Sequence, residues 1–373
     1  ALAHNGNLTN ARVLREEWVN HGQIFQSTSD SEVVLHLAAL SKKNKLTSRV
    51  LSALKQVQGA FAFVACVNDR LIVARDPFGI RPLVMGRLGD AYIFASETCA
   101  LDMVGARFVR EIEPGEAVVV NEDGLRSERF APARKAQICA FEYIYFARPD
   151  SVIEGRSVYE ARKEMGRQLA LETPADVDVI IPVPDSGVPA AIGFSEASGI
   201  PFELGIIRSH FVGRTFIQPT QDRRDLSVRR KHAANAAVVR GKRVLLIDDS
   251  IVRGTTSLKI VRMMREAGAA EVHFRSACPP IKHPDFYGID MAGRAELIAA
   301  NMSVDEMAAK LEADSLGFLT VNGLYQAVIG APRNDEAPQL ADHYFTGEYP
   351  TLLADHDRDL SAKEFQLSFL VDA

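Results

Sequence analysis

Residues 244–256 read Val-Leu-Leu-Ile-Asp-Asp-Ser-Ile-Val-Arg-Gly-Thr-Thr, and this stretch decides the fold of the second half of the chain. The apolar run Val244–Ile247 suits a short strand buried on both faces. It ends at two adjacent carboxylates, Asp248 and Asp249, which such a strand delivers to the carboxyl edge of a sheet. A small polar loop, Arg253-Gly254-Thr255-Thr256-Ser257, follows and opens a helix. The first turn of that helix offers N–H donors and a positive dipole end to a phosphate. Carboxylates beside a phosphate cradle suit a phosphorylated sugar, whose hydroxyls need acceptors, and they equally suit a bound Mg²⁺. A plain doubly wound sheet also ends buried strands in Asp-Asp. The Gly-Thr-Thr-Ser tail separates the two readings.

Around this stretch, strands and helices alternate. Val177–Pro182 reads as a strand leading into the loop Pro184-Asp185-Ser186-Gly187, followed by a helix over Val188–Ser198 that Gly199 stops. Glu203–Ile207 reads as the next strand. A helix follows over Thr256–Ala267, then a strand over Glu271–Ala277. Ser303-Val304-Asp305-Glu306 is a capping box. The alternation predicts an α/β domain with a parallel sheet.

The first part reads differently, as an α+β domain. Gly59–Cys66, Arg70–Ala74, Ala91–Ala95 and Glu116–Val120 are strand patterns, with helices expected over Asp30–Leu40 and Arg49–Val57. An Ala/Pro/Lys/Arg stretch near Glu128–Gln137 separates the parts, so the expected domains are residues 1–135 and 136–373. The last segment, about 331–373, reads as a polar tail with a weak helical pattern at Ala362–Leu370.

The chain has 373 residues, of which 47% are hydrophobic and 24% charged, with a net charge of −5. Such a balance gives no general attraction to nucleic acid. No apolar stretch is long enough to span a membrane, and no signal peptide is visible. Cys66, Cys99, Cys139 and Cys278 are scattered with no C-x-x-C pair, which argues against a zinc site or disulfide framework and for a cytoplasmic protein. Cys66, in mid-strand, reads as a packed core thiol. One segment breaks the charge balance: Arg208–Arg243 holds ten Lys/Arg against Asp222 and Asp225. It is either a solvated basic loop or a flap that closes over a polyanionic substrate.

The 244–257 stretch resembles the signature with which type I phosphoribosyltransferases bind phosphoribosyl pyrophosphate (PRPP). In the first part, His4-Asn5-Gly6-Asn7, Ser29-Asp30-Ser31, Gly59-Ala60-Phe61, Arg75-Asp76-Pro77-Phe78-Gly79-Ile80-Arg81-Pro82-Leu83 and Ser96-Glu97-Thr98 follow in the order of a class II glutamine amidotransferase, an N-terminal-nucleophile hydrolase. Together the halves resemble the amidophosphoribosyltransferase family, which makes 5-phosphoribosylamine, pyrophosphate and glutamate from glutamine, PRPP and water. The resemblance also runs through Phe141–Ser151 and Phe286–Asp290.

That resemblance implies roles. Asn5 and Gly6 would form an oxyanion hole, and Asp30 would hold the glutamine α-amino group. Asp248 and Asp249 would bind ribose hydroxyls and, with Ser186, a Mg²⁺. Ser250, Arg253, Gly254, Thr255, Thr256 and Ser257 would hold the 5′-phosphate. Asp185, Ser186 and Gly187 match the pyrophosphate loop. Arg208, Arg214, Arg229, Arg230 and Lys231 would meet the pyrophosphate charge from the flap, with Arg214 close to the chemistry. The family forms homo-oligomers and is inhibited by purine nucleotides.

Two departures follow. The family nucleophile is an N-terminal cysteine, whereas position 1 here is Ala1, so a truncated chain that is ammonia-dependent at best is expected. Part of the family also carries a [4Fe–4S] cluster on four cysteines. Only Cys139 matches a ligand; the other positions fall at Asp285 and at about Ala341 and Tyr344, so no cluster is expected. A nucleobase salvage phosphoribosyltransferase and a PRPP-sensing regulator are the competing functions.

Overall fold

The computed structural model describes residues 1–208, 232–291 and 293–356. The first half contains β1 (Leu2–Leu8), β2 (Gly59–Val67), β3 (Arg70–Arg75), β4 (Val84–Leu88), β5 (Ala91–Ala95), β6 (Arg107–Glu111), β7 (Glu116–Asn121) and β8 (Gly124–Arg129). An antiparallel sheet runs β1-β2-β3-β7-β8, and a smaller antiparallel sheet runs β5-β4-β6. Period-two alternation divides the apolar load of β2. Phe61 and Phe63 pack with Val33, Leu37 and Leu54 from the helices Glu32–Leu40 and Leu46–Leu54. Ala62 packs on the other face with Leu83, Met85 and Ile112, at the smaller sheet.

The second half contains the short strands β9 (Ile138–Cys139), β10 (Val152–Ile153) and β11 (Arg156–Ser157), then β12 (Val179–Pro182), β13 (Ile206–Arg208), β14 (His232–Ala234), β15 (Arg243–Asp248), β16 (Glu271–Ser276), β17 (Ser315–Phe318) and β18 (Leu340–Ala341). The order β12-β15-β16-β17 is parallel throughout. Leu245 and Ile247 face the helices Val158–Glu172, Val188–Ser198 and Val321–Ile329 through Leu169, Phe194 and Leu324. Val244 and Leu246 face the helices Thr255–Glu266 and Val304–Leu311 through Ile260, Met264 and Leu311. Helices thus cover both faces, which is why the strand runs are continuously apolar.

Several expectations need correction. The strand expected at Glu203–Ile207 is Ile206–Arg208, and it pairs antiparallel with β14 instead of joining the parallel sheet. Only Phe202 makes an isolated parallel bridge to Ile180. Cys66 is exposed; alternation puts it on the Ala62 face, at the end of β2. The helices expected at Asp30 and Arg49 begin at Glu32 and Leu46.

A helix over Ala11–Asn20 was not expected, and its own N-cap residue, Asn10, makes no capping bond. The acceptor comes from far along the chain, where the Asp355 carboxylate takes the Arg12 and Val13 N–H groups at 2.9 and 3.0 Å. Residues 340–345, expected in a polar tail, are buried. The Ala362–Leu370 helix lies outside the described residues.

The halves share a core. Ala60 and Ile80 belong to the same apolar cluster as Tyr287, Leu340 and Tyr344. Buried Arg81 pairs with buried Glu142 at 3.0 Å, across the boundary expected from composition.

Candidate functional site

Adjacent parallel strands bring two loops together at one sheet edge. β12 pairs with β15 so that Pro182 sits beside Ile247, and the loops leaving their carboxyl ends carry Asp185-Ser186-Gly187 and Asp248-Asp249-Ser250. Ser186 Oγ donates to Asp249 Oδ1 at 3.2 Å, and Ser250 Oγ donates to Asp249 Oδ2 at 3.2 Å. Gly187 is required at this junction, because a Cβ there would lie 2.3 Å from the Ile247 carbonyl oxygen. The Arg208 guanidinium, at the end of β13, forms an ion pair with the Asp185 carboxylate.

Asp248 has fewer donors around it than Asp249. Asp248 and Asp249 are 7% and 8% exposed. Asp248 Oδ1 accepts the Asp249 N–H at 2.9 Å, and among the described residues neither carboxylate forms an ion pair. Burial first, and then the neighbouring Asp249 charge, pushes the Asp248 carboxyl well above its ordinary range. Two carboxylates and a hydroxyl fit a Mg²⁺ that takes its remaining oxygens from substrate phosphates and water. No cluster of three or more His, Cys, Asp or Glu suited to a metal occurs among the described residues.

The loop expected to hold a phosphate follows as the strand-turn-helix pattern requires. Gly254 occupies the N-cap of the helix Thr255–Glu266 with φ of 75°. Thr255 and Thr256 are exposed at its first turn, whereas Ser257 is buried. Arg253 reaches away to Glu296 at 2.7 Å. Arg214, Arg229, Arg230 and Lys231 lie outside the described residues.

A second polar group surrounds β1. Asn5 Nδ2 donates to Ser96 Oγ at 3.2 Å. The Asp30 carboxylate is held by His4 Nδ1 at 3.3 Å and accepts the Leu8 and Ser31 N–H groups at 2.9 and 2.7 Å. Burial opposes ionisation there, but the His4 contact and those amides keep its pKa below the ordinary carboxylate value. The Arg75–Leu83 motif is held largely by its own backbone: Arg75 donates to the Arg81 and Gly79 carbonyls and to the Ile112 carbonyl outside it, and pairs with Glu154 at 2.8 Å, while Asp76 accepts from the Phe78, Ile80 and Arg81 amides.

Two family models match the halves, a glutamine amidotransferase domain over residues 1–103 and a phosphoribosyl transferase domain over residues 154–284. An amidophosphoribosyltransferase of Rhizobium etli is 55% identical over 95% of this chain and 73% of its own length. The chain belongs to the amidophosphoribosyltransferase family. A Bacillus subtilis relative of the same name is 51% identical over 94% of this chain and 74% of its own. The glutamine PRPP amidotransferase of Bacillus subtilis, solved with ADP and GMP, superposes with a TM-score of 0.89 at 50% identity, covering 95% of this chain and 79% of that one. Amidophosphoribosyltransferases are glutamine-dependent pentosyltransferases of purine biosynthesis, and the type I transferase fold and the amidotransferase domain are both present here.

The positions where part of the amidophosphoribosyltransferase family holds iron–sulfur ligands do converge in space. Cys139 Sγ lies 3.1 Å from Tyr344 Oη, Ala341 pairs with Cys139, and Asp285 pairs with His343 at 2.8 Å. One thiol, one carboxylate, one phenol and one methyl group do not fit a group that needs four thiolates. Burial also pushes the Cys139 thiol up to about 12, against metal ligation as thiolate.

Sequence reasoning passed over Arg162 and gave no role to Asn7 or Gly288, which it quoted only within longer motifs. Arg162 is buried in the helix Val158–Glu172 and donates to the Tyr143 and Ala147 carbonyls. A lone Arg in a helical pattern reads as surface, so nothing marked it. Glu97, quoted only as part of a motif, accepts from the Arg148 N–H at 2.8 Å and from Ser151 Oγ at 2.7 Å, joining the halves.

Proposed function

We propose that this chain transfers ammonia to C1 of PRPP at the β12–β15 edge, releasing pyrophosphate, and that the β1 side handles glutamine. The observation that carries the reading is the Ser186–Asp249 contact of 3.2 Å, which unites the two loops. Departure of pyrophosphate leaves oxocarbenium character at C1, and positioning with charge neutralisation supplies most of the catalysis. Asp248 and Asp249 accept from the ribose hydroxyls. Backbone amides from Ser250 to Ser257, with the exposed hydroxyls of Thr255 and Thr256, receive the 5′-phosphate at a helix start. The Asp185–Gly187 loop receives the pyrophosphate, and Arg208 turns from Asp185 to its charge.

Mg²⁺ would sit on Asp248, Asp249 and Ser186, where it neutralises departing phosphate charge. Arg214, Arg229, Arg230 and Lys231 join from the basic segment on sequence grounds alone.

On the β1 side, Asn5 Nδ2 and the Gly6 N–H serve as the oxyanion donors. Asp30, kept ionised by its partners, receives an ammonium group. Purine nucleotides compete for the PRPP site because they share its 5′-phosphate, a reading that the ADP- and GMP-bound relative supports. The chain works as a homo-oligomer.

The test compares pyrophosphate release from PRPP and Mg²⁺ with ammonium chloride, adenine or hypoxanthine. Release with ammonium alone is expected. Release only with a base would replace this reading by nucleobase salvage, and release with none of the three would favour a PRPP-sensing regulator.

A further inference from the structure

The transferase half touches the glutamine side through bare backbone. Gly288 lies four residues beyond the stretch matched as a phosphoribosyl transferase domain, in the loop 285–289. A Cβ on Gly288, where φ is +103°, would lie 2.6 Å from both the carbonyl carbon and oxygen of Gly6. Gly6 is itself pressed on β2, since its own Cβ would lie 2.1 Å from the Ala60 carbonyl oxygen. No side chain other than hydrogen is tolerated at either position, so the separation of loop and strand is fixed by backbone contact.

The loop is not free to yield. Asp285 Oδ2 accepts the Tyr287 and Ile289 N–H groups at 2.9 and 2.6 Å, closing a turn around Gly288. Asp285 Oδ1 is held by fully buried His343 at 2.8 Å. The Tyr287 phenol accepts the Thr351 N–H at 3.0 Å. One more bond crosses to β1: Asn7 Nδ2 donates to the Phe286 carbonyl at 2.9 Å. A chain of short contacts thus runs from buried His343 through Asp285 and Gly288 to the Gly6–Asn7 peptide, next to Asn5.

We infer that Gly288 and Asn7 are positioning residues for the glutamine reaction, setting through loop 285–289 where the Asn5 amide and the Gly6 N–H stand. The inference rests on the proposed oxyanion role of Asn5 and Gly6 and adds that the transferase half holds that hole in register. Asp285 thereby acquires a function at a position where part of the family has a metal ligand. It is the brace of the contact.

The test measures glutamine-dependent and ammonia-dependent phosphoribosylamine formation side by side in the whole chain joined to the family's amino-terminal cysteine segment, since Ala1 supplies no nucleophile. Gly288→Ala is expected to lower the glutamine-dependent kcat about tenfold or more, because sub-ångström displacement of reacting groups is costly. The KM for glutamine and the ammonia-dependent rate stay within about twofold of the parent. Asn7→Ala moves in the same direction by about threefold, since one hydrogen bond of ordinary strength is lost. Gly293→Ala is the control, because a Cβ there meets nothing within 4 Å.

Hydrogen exchange of the Asn5–Leu8 amides, faster in Gly288→Ala than in the parent, gives a readout independent of turnover. A parallel fall of both activities in Gly288→Ala, or unchanged kcat with unchanged exchange, overturns the inference. Asn5→Ala separates it from the reading beneath: if that variant keeps full glutamine-dependent activity, the oxyanion assignment itself fails.

Discussion

Asp30 is a half-buried carboxylate and Asp248–Asp249 a buried pair, and the fold treats them in opposite ways. Asp30 has two backbone amides and a histidine gathered around it, and its pKa lies below the ordinary value. Asp248 has its neighbour's amide and its neighbour's charge, and its pKa lies far above. A carboxylate satisfied by its own chain is fit to present a fixed negative charge to a small cationic group. A buried pair in which one carboxyl has a single amide donor and a like charge beside it is one that a cation or a polyol would stabilise. The degree of internal satisfaction therefore distinguishes a preset recognition charge from a site that ligand finishes.

The strongest attack on this contrast is Asp249→Asn, which removes the charge and one of the two acceptor oxygens that Ser186 and Ser250 meet. Ammonia-dependent pyrophosphate release should fall by about 10²–10³-fold, with the melting temperature unchanged or raised because a buried charge has gone. A variant with full activity would break the assignment.

Next comes pH. A cation binding the pair competes with the proton that burial favours on Asp248, so Mg²⁺ affinity in the presence of PRPP should rise with pH above the usual carboxylate range. Calorimetry across pH 5–8 should show that slope in the parent and lose it in Asp248→Asn. The sign for stability is the reverse: with a raised folded pKa, the pair's contribution is present at low pH and lost as pH rises, until Mg²⁺ restores it.

Asp30→Ala should destabilise by about 2 kcal/mol at pH 7, since charge-assisted bonds are lost and two amides are orphaned. Here the folded pKa is lowered, so the contribution is present above the ordinary Asp value and lost as pH falls through the folded one. Parent and variant should converge in urea melts at low pH.

The smallest effect sharpens the rule. Glu111, beside Glu154, has a pKa raised to about 7 by burial and then by that neighbour's charge, and its Oε2 has no hydrogen-bond partner. It stands outside both sites, so a raised pKa alone marks no function. Glu111→Gln should raise the melting temperature by a few degrees at pH 8 and leave it unchanged at pH 4, read by calorimetry.

The parts of this molecule legible in the sequence are those fixed locally. The β15 run, the Val188–Ser198 helix with its Gly199 stop, and the Ser303–Glu306 capping box each declare themselves within a dozen residues, and each is present. So are the acid pair and the loop that faces it, because strand-loop-helix order dictates where they emerge. What stayed hidden depends on residues far apart. The Ala11–Asn20 helix borrows its cap from Asp355. Cys66 is exposed because of where a neighbouring sheet ends, which period-two alternation does not encode. Residues 340–345 lie in a tail that reads as polar taken whole, but its apolar residues there are core, and Asp342 and His343 are buried with partners of their own: Arg333 and Tyr325 for Asp342, and Asp285 for His343. Gly288 carries no chemical signature at all; only the backbone opposite gives it meaning.

The cap on the Ala11–Asn20 helix has a consequence for biosynthesis. Asp355 lies 343 residues beyond Arg12, and Thr9 also waits for Leu352, whose carbonyl its hydroxyl meets at 2.7 Å. At translation speeds of about 5–20 residues per second, the helix start emerges roughly 17–70 s before its acceptor exists. During that interval its amides face solvent and its apolar stripe is held only by nearby segments. The start of that helix therefore reaches its final form only after residues 352–355 have been made. A nascent chain stalled before Leu352 should remain open to protease at residues 11–20.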